Sequence, residues 1–243
     1  MATYNGEKYI EQQLESILSQ LGKSDEVIIS DDASTDNTLS VIRSFDDDRI
    51  TLYHLHQDKH KLNKHLRISS NFENALQKAK GDYIFLSDQD DIWAANKVAE
   101  MMKFLPSYAL VVSNLVYMED NLPDLSRKPV LKKSPYHNFL ITQPQYYGCC
   151  MAFQRTVLDK ALPFPKKLPS HDGWIGMVAE TTGKVKFIEQ PLVCYRIHDR
   201  NVSGKNKSDN PLCYKFTYRI RMYFNLLKRM NKYNKMNKNT WTK

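Results

Sequence analysis

Apolar positions Ile10, Leu14, Ile17, Leu18 and Leu21 recur at spacings of three and four, which predicts an amphipathic helix, and Gly22 stands where it would end. Glu26-Val27-Ile28-Ile29-Ser30 has the pattern of a buried strand. The polar turn Asp31-Asp32-Ala33-Ser34-Thr35-Asp36 follows, with Asp36 placed to cap a short helix carrying Leu39, Val41, Ile42 and Phe45. A second strand is predicted from Ile50 to His54. After a basic, His-rich loop, Ser69 or Ser70 is placed to cap a helix bearing Phe72, Ala75, Leu76 and Ala79, with Gly81 at its stop. The apolar run Tyr83-Ile84-Phe85-Leu86 then leads directly into Ser87-Asp88-Gln89-Asp90-Asp91-Ile92-Trp93. Alternation of short buried strands with amphipathic helices predicts an α/β fold with a mostly parallel sheet. Ligands of such sheets bind beyond the carboxyl ends of the strands, where both acidic turns fall.

The second half is less regular. A helix from about Ala95 is expected to stop before Pro106, and a strand to run from Ala109 to Ser113. Glu119 to Pro144 reads as a long Pro-rich loop, a length that in a compact domain is often functional. Gly148 to Phe153 predicts a strand leading into a helix near Arg155 to Ala161, and Ser170-His171-Asp172-Gly173-Trp174 precedes another helix that ends near Gly183. No internal repeat is present, and no linker is rich enough to divide domains.

The 243 residues are 42% hydrophobic and 11% aromatic, ample for a globular core and unlike a disordered chain. No apolar run approaches a membrane span, and the beginning lacks the basic-then-apolar order of a signal peptide, so a cytoplasmic setting is expected. Cys149 and Cys150 are adjacent while Cys194 and Cys213 stand alone, a spacing that suits neither a zinc site nor a disulfide framework. The net charge of +8 is unevenly placed: Pro211 to Lys243 carries nine Lys or Arg and no acid, leaving 26 basic against 27 acidic residues elsewhere. In that tail Phe216, Ile220, Tyr223, Leu227 and Met230 fall on one helical face. Such a helix suits an anionic membrane surface, or docking on its own domain with a solvated basic face. It shows no nucleic-acid-binding module, and no nucleic-acid partner is expected.

Three carboxylates within four residues at the end of a buried strand repel one another unless a cation balances them. Asp-x-Asp there points to a divalent metal, and hard Mg²⁺ or Mn²⁺ takes its remaining ligands from water and substrate phosphates. A solvated acidic turn is the alternative. Asp31 and Asp32 have the acceptor oxygens needed to read the imide N–H and ribose hydroxyls of a nucleoside, or to cap the next helix.

With Ala2-Thr3-Tyr4-Asn5-Gly6, the turn at Asp31 to Asp36, Asp88-Gln89-Asp90-Asp91-Ile92-Trp93, His171-Asp172 and Tyr195-Arg196-Ile197-His198 in this order, the chain resembles family 2 glycosyltransferases over roughly residues 1 to 205. The resemblance implies a GT-A fold in residues 1–205, with a nucleotide-binding half to about 95 and an acceptor half from about 96, followed by the basic tail of 206–243. It implies inverting transfer of a sugar from a nucleotide-diphosphate-sugar donor to a growing glycan or lipid-linked acceptor, with a divalent cation, Mg²⁺ or Mn²⁺. The Ser-Asp-Gln-Asp-Asp-Ile-Trp form looks most like bacterial rhamnosyltransferase-type members that build surface polysaccharides, with a UDP- or dTDP-sugar donor at the inner membrane face.

By the same resemblance Ala2, Tyr4, Asp31, Asp32, Arg67 and Asp88 face the nucleotide, although Tyr4 also suits the core and Arg67 a plain surface. Asp90 and His198 hold the metal, a structural role being the other reading of the histidine. Asp172 is the general base, or simply a helix cap. Gly148, His171 and Trp174 lie on the acceptor side, with core packing the other use for the tryptophan. Members of the family carry a longer apolar run before the Ala-Thr-Tyr-Asn segment, whereas Met1 stands where that first strand would end. A truncated first strand is therefore expected, implying a start upstream of Met1 or a nucleotide-sugar-binding protein of impaired catalysis. A nucleotidyltransferase is disfavoured, because the chain does not open with a Gly-rich phosphate loop.

Overall fold

The computed structural model describes residues 1–57, 62–119, 122–124, 146–198 and 212–240, with side chains of the last helix described over 217–233. Most of the expected Pro-rich loop, part of the His-rich loop, and the side chains of Cys213 and Phe216 lie outside these residues.

The strands form two sheets. The first is parallel throughout, in the order β1 (Ala2–Thr3), β2 (Val27–Asp31), β3 (Ile50–His54), with Thr3 beside Asp31 and Asp31 beside His54. Its first strand holds two residues. The second sheet runs β4 (Tyr83–Phe85), β8 (Met151–Gln154), β6 (Leu110–Glu119), β9 (Val185–Arg196), β5 (Ile92–Trp93), with β7 (Leu122–Asp124) on β6. Here β6 and β9 are parallel, while β4–β8, β6–β8, β5–β9 and β6–β7 are antiparallel. The strand expected at Ala109 to Ser113 extends to Glu119, because Asn114 to Met118 are also largely buried and pair with β9 past a register shift at Asn114.

Helix α1 (Ile10–Leu18) buries Ile10, Leu14 and Ile17, as its periodicity requires. Asp36 accepts the Thr38 N–H at the start of α2 (Thr38–Ser44). The third helix corrects the sequence reading: α3 (Lys64–Leu76) starts six residues before Ser70, capped by Asn63, whose Oδ1 accepts the Leu66 N–H at 3.0 Å. Its first turn is basic and polar and carries no apolar period, so the cap was hidden; Ser69 and Ser70 lie inside the helix, and the helix ends before Gly81. Beyond α4 (Lys97–Met102) and α5 (Arg155–Ala161), α6 (His171–Thr182) is capped by Ser170 and ends at Gly183.

The main core joins Ile10, Leu14, Ile29, Phe72, Leu86, Phe153 and Trp174, so α1, α3 and α6 cover both sheets. Burying each such side chain contributes roughly 1.5–3 kcal/mol. The last helix, α7 (Leu212–Thr240), docks through buried Met222 and Leu226, with Tyr218 and Met230 partly covered. Its docked face is therefore rotated from the expected one, and Leu227 faces outward, 37% exposed. Apolar residues occupy more than one stripe of α7, and contact with α6 selects among them.

Candidate active site

The first cluster is built where β1 and β2 finish side by side. Asp31 turns inward: its carboxylate accepts the Thr3 hydroxyl at 2.9 Å, the Ser34 N–H at 2.9 Å and the Ser34 hydroxyl at 2.5 Å. These bonds hold a turn in which Ala33 sits at φ 55°, a left-handed conformation uncommon outside glycine. Asp32 is also buried, with Oδ2 bound by the Arg67 guanidinium, Nε at 3.0 Å, and Oδ1 left without a hydrogen-bond partner. Arg67 in turn lies 4.8 Å over the ring of Tyr4, which is 38% exposed. Ala2 pairs with Ser30 in the sheet below. The Tyr4 loop is sewn down by Asn5 N–H to Ser34 Oγ at 2.9 Å, Thr35 N–H to Asn5 Oδ1 at 2.8 Å, and Gly6 N–H to Thr38 Oγ1 at 2.7 Å. A side chain on Gly6 would start 2.4 Å from Gln89 Oε1.

The acidic end lies between β4 and β5. Gln89 reaches back to Tyr4, accepting its N–H at 2.8 Å and donating to its carbonyl at 3.0 Å. Asp90 Oδ2 meets His198 Nε2 at 2.8 Å, although the two are 108 positions apart. The imidazole is held by stacking on Tyr9, centroids 5.0 Å apart. Arg196 ties the turn together: its backbone N–H donates to Asp91 Oδ1 at 3.1 Å, its Nε to the Asp90 carbonyl at 2.9 Å, and its NH2 group to Gln12 Oε1 at 2.7 Å. Its guanidinium also lies 4.7 Å over Tyr9. Loss of water together with the charges of Asp90 and Asp172 pushes the Asp88 carboxyl up to about 7, and burial raises Asp91 as well. Fully buried Lys97 sits beneath, its ammonium donating to the Cys149 carbonyl at 2.5 Å and lying 4.2 Å over Trp93. Burial lowers the lysine's pKa, while the neighbouring Asp91 and Asp88 oppose that shift.

The third cluster lies at the start of α6. Asp172 is partly exposed, and its Oδ1 accepts the Ser170 hydroxyl at 2.5 Å and the Gly173 N–H at 2.7 Å. Ser170 is the cap, so Asp172 sits in the first turn, where the helix dipole favours its charge. His171 stacks on Phe72 at 4.0 Å, and its Nε2 is buried without a partner. A Cβ on Gly148 would lie 3.2 Å from that nitrogen, so glycine permits the short turn Gly148–Cys150 to approach α6. Trp174 does not line this surface. It is fully buried and its indole N–H donates to the Ala161 carbonyl at 2.9 Å, so neither ring face is open to a sugar and the tryptophan serves the core.

The residues fit a hard divalent cation. Asp90 and His198 offer an oxygen and a nitrogen donor on a partly exposed surface, and the upward shift of Asp88 registers an excess of negative charge that a cation would relieve. Asp88, Asp91 and Cys149 also place donor atoms within 4.8 Å of one another. Two of these three are deeply buried, however, and the sulfur contact with Cys150 together with burial pushes the Cys149 thiol's pKa up, a poor match to a hard ion. Cys149, Cys150 and Cys194 are free thiols, as their spacing predicted.

Gln89, Arg196, Tyr9 and Lys97 carry much of this geometry and were not singled out from the sequence for any role. Gln89 and Arg196 lie inside quoted motifs, which was the available signal; Tyr9 and Lys97 gave none.

Acidic turns at strand ends, a carboxylate–histidine pair and a helix-borne aspartate thus meet on one side of an α/β fold, the arrangement that the resemblance to GT-A transferases implies. The family model for glycosyl transferase family 2 matches residues 1–162, and the chain belongs to that family. It is 30% identical over 229 residues to the dTDP-rhamnosyl transferase RfbG of Shigella flexneri, covering 86% of this chain and 75% of the relative. It is 36% identical over 211 residues to the UDP-Glc:alpha-D-GlcNAc-diphosphoundecaprenol beta-1,3-glucosyltransferase WfaP of Escherichia coli, covering 84% and 78%. Among solved structures, S. aureus TarS 1-349 in complex with UDP superposes with a TM-score of 0.63 at 19% identity, over 81% of this chain and 59% of that one. The mannosyltransferase PcManGT from Pyrobaculum calidifontis, with GDP-Man and Mn²⁺, gives 0.59 at 22%, over 82% and 56%. At these identities the two structures speak for the fold.

Proposed function

We propose that the protein transfers a sugar, with inversion, from a UDP- or dTDP-sugar to a hydroxyl of a growing surface polysaccharide or lipid-linked glycan, in a reaction that depends on a divalent cation. dTDP-rhamnose is one candidate donor, in line with the rhamnosyltransferase RfbG among its relatives, and a UDP-sugar is the other, in line with WfaP. The observation that carries this reading is the convergence of Asp90 with His198 at 2.8 Å beside Asp88, whose carboxyl also feels the charge of Asp172.

In this reading Asp32, Arg67 and Tyr4 receive the nucleoside: Asp32 Oδ1 is the acceptor still lacking a donor, and Tyr4 offers an exposed ring. Asp31 and Ala2 complete the nucleotide side at the strand ends beneath them, with the Asp31 carboxylate anchored by Thr3 and Ser34 and its Oδ1 accepting one hydrogen bond from the chain. Asp90 and His198 would hold Mg²⁺ or Mn²⁺, with Asp88 beside them. When bound, the cation supplies Lewis-acid neutralisation of the leaving diphosphate. Asp172 takes the proton of the acceptor hydroxyl as its oxygen attacks the anomeric carbon from the face opposite the diphosphate. Asp172 keeps Oδ2 for that proton while Oδ1 is anchored. Gly148 and His171 form the adjoining acceptor wall.

The catalytic unit is taken as residues 1–205, the nucleotide half ending near 95, with 206–243 as a basic appendage. Among the described residues no helix is long and apolar enough to cross a membrane. The proposed setting is the cytoplasmic side, in peripheral contact with the inner membrane face.

Calorimetric titration with UDP and with dTDP, each with and without Mn²⁺, tests the reading. Metal-dependent binding of one nucleotide is expected and would choose the donor class. Absence of binding to both, under conditions where the chain melts cooperatively, would refute it.

A further inference from the structure

Among the described residues three large apolar side chains remain exposed, and two of them, Phe224 at 57% and Leu227 at 37%, stand on α7. The helix itself is firmly seated. On its inner side Met222 and Leu226 are buried, Arg229 donates to the carbonyls of Lys160 and Leu162 at 2.7 Å each, and the Tyr233 hydroxyl donates to the Asp159 carbonyl at 2.5 Å. Phe224 and Leu227 therefore face outward from a fixed support. On the flank of α7 that faces the segment 162–165 lies a cavity of about 350 Å³, with Phe224 and Leu227 outside its lining. Leu162, Pro163 and Pro165 give it an apolar wall, and Lys228 and Lys232 stand one helical turn apart on its other side. Both lysines are exposed, whereas Arg229 is committed to backbone carbonyls. The stretch from Pro211 to Lys243 holds no acidic residue, so nothing in this segment offsets their charge.

We infer that this groove binds the phosphate headgroup of an anionic phospholipid at a bilayer surface, with Lys228 and Lys232 on the phosphate and Phe224 and Leu227 entering the acyl boundary. Cations alone would suit any polyanion; exposed apolar side chains beside them, on a rigidly docked helix, select an interface that is charged above and apolar below. The placement has a consequence. α7 packs against the helix that carries Asp172: the Met222 methyl lies 3.8 Å from where a Gly173 Cβ would be, and Arg221 donates to the Lys167 carbonyl at 3.1 Å. Docking would bring the acceptor end of the site toward the membrane. That consequence rests on the proposed function, whereas lipid binding stands without it.

The test is co-sedimentation of the full chain with vesicles of phosphatidylcholine alone and of phosphatidylcholine mixed with phosphatidylglycerol. Binding to the anionic vesicles should exceed binding to the neutral ones by about tenfold or more, and K228E/K232E should remove that excess. Phe224→Ser should weaken binding to anionic vesicles while the lysines remain. Equal binding to both vesicles, or an unchanged K228E/K232E protein, would overturn the inference. So would release by inorganic phosphate beyond that caused by chloride of equal ionic strength, which would mark a free-phosphate pocket. UDP affinity, measured on the same variants, should not change, so a failed vesicle assay with normal UDP binding refutes the lipid site and leaves the donor site intact.

Discussion

Gln89 and Tyr4, 85 positions apart, clasp each other through two amide hydrogen bonds, one in each direction, at 2.8 and 3.0 Å. The clasp ties the loop carrying the exposed aromatic ring to the middle of the acidic motif. Each such bond contributes roughly 0.5–1.5 kcal/mol net, so Gln89→Ala is expected to weaken UDP binding about tenfold. Gly6→Ala should act in the same direction, since its methyl would displace the Gln89 amide. Calorimetry decides it: unaltered UDP affinity in Gln89→Ala would show that the clasp does not order the nucleotide end.

Arg67 is the partner of a nearly fully buried carboxylate, Asp32. Removing it leaves both Asp32 oxygens unpaired in the described structure, so Arg67→Ala is expected to cost about 3 kcal/mol of stability. Arg67→Lys should recover only part of this, because an ammonium lacks the guanidinium fork. Urea denaturation of the three proteins provides the comparison; a loss within ~0.5 kcal/mol for the alanine variant, the size of an ordinary surface substitution, would contradict the pairing.

Asp172→Asn should leave the start of α6 in place, because an amide oxygen can still accept from Gly173 and Ser170. It cannot take a proton. Transfer is expected to fall by roughly 10²–10⁴ with donor affinity retained. Wild-type turnover in this variant would remove Asp172 from the chemistry.

Asp90→Ala and His198→Ala should each erase the strengthening of UDP binding by Mn²⁺ without unfolding the chain, since both side chains are at the surface edge of the core. Chelation of the wild type should give the same UDP affinity as Asp90→Ala. If Mn²⁺ still strengthened binding to Asp90→Ala, the buried group of Asp88, Asp91 and Cys149 would become the site to test.

Trp174→Ala should destabilise the protein by about 3–5 kcal/mol, because it empties the centre of the core. Trp174→Phe should cost less, about 1–2 kcal/mol, chiefly through the unpaired Ala161 carbonyl. Thermal melts distinguish the pair, and a shift in acceptor use without a shift in melting would restore an acceptor role for the indole.

Several features were legible because they depend on neighbours along the chain. The helix at Ile10, the strands at Val27 and Ile50 and the acidic turn at Asp88 all follow from local periodicity and turn chemistry, whereas the cap of α6 falls on Ser170, two residues before the Asp172 that the sequence offers for it. The Asn63 cap was hidden by a first turn without apolar spacing, and the strand at Leu110 was cut short because its continuation is buried only through pairing with β9.

The sequence alone determined the α/β alternation, the crowding of carboxylates at a strand end, the order of motifs that resembles the family, and the charge asymmetry of the tail. These are properties of composition and spacing, and they need no contact between distant residues. Tertiary structure decided which side chains are still available. It anchored the Asp31 carboxylate on Thr3 and Ser34 and left one oxygen of Asp32 without a partner; it set Asp90 against His198 and buried Trp174. It also rotated α7 so that Met222 and Leu226 are covered and Phe224 is not. Each outcome depends on which polar group finds a partner and which apolar face finds a wall, and apart from Ser34 beside Asp31 those partners lie from more than ten to more than a hundred positions away, beyond the reach of any local pattern.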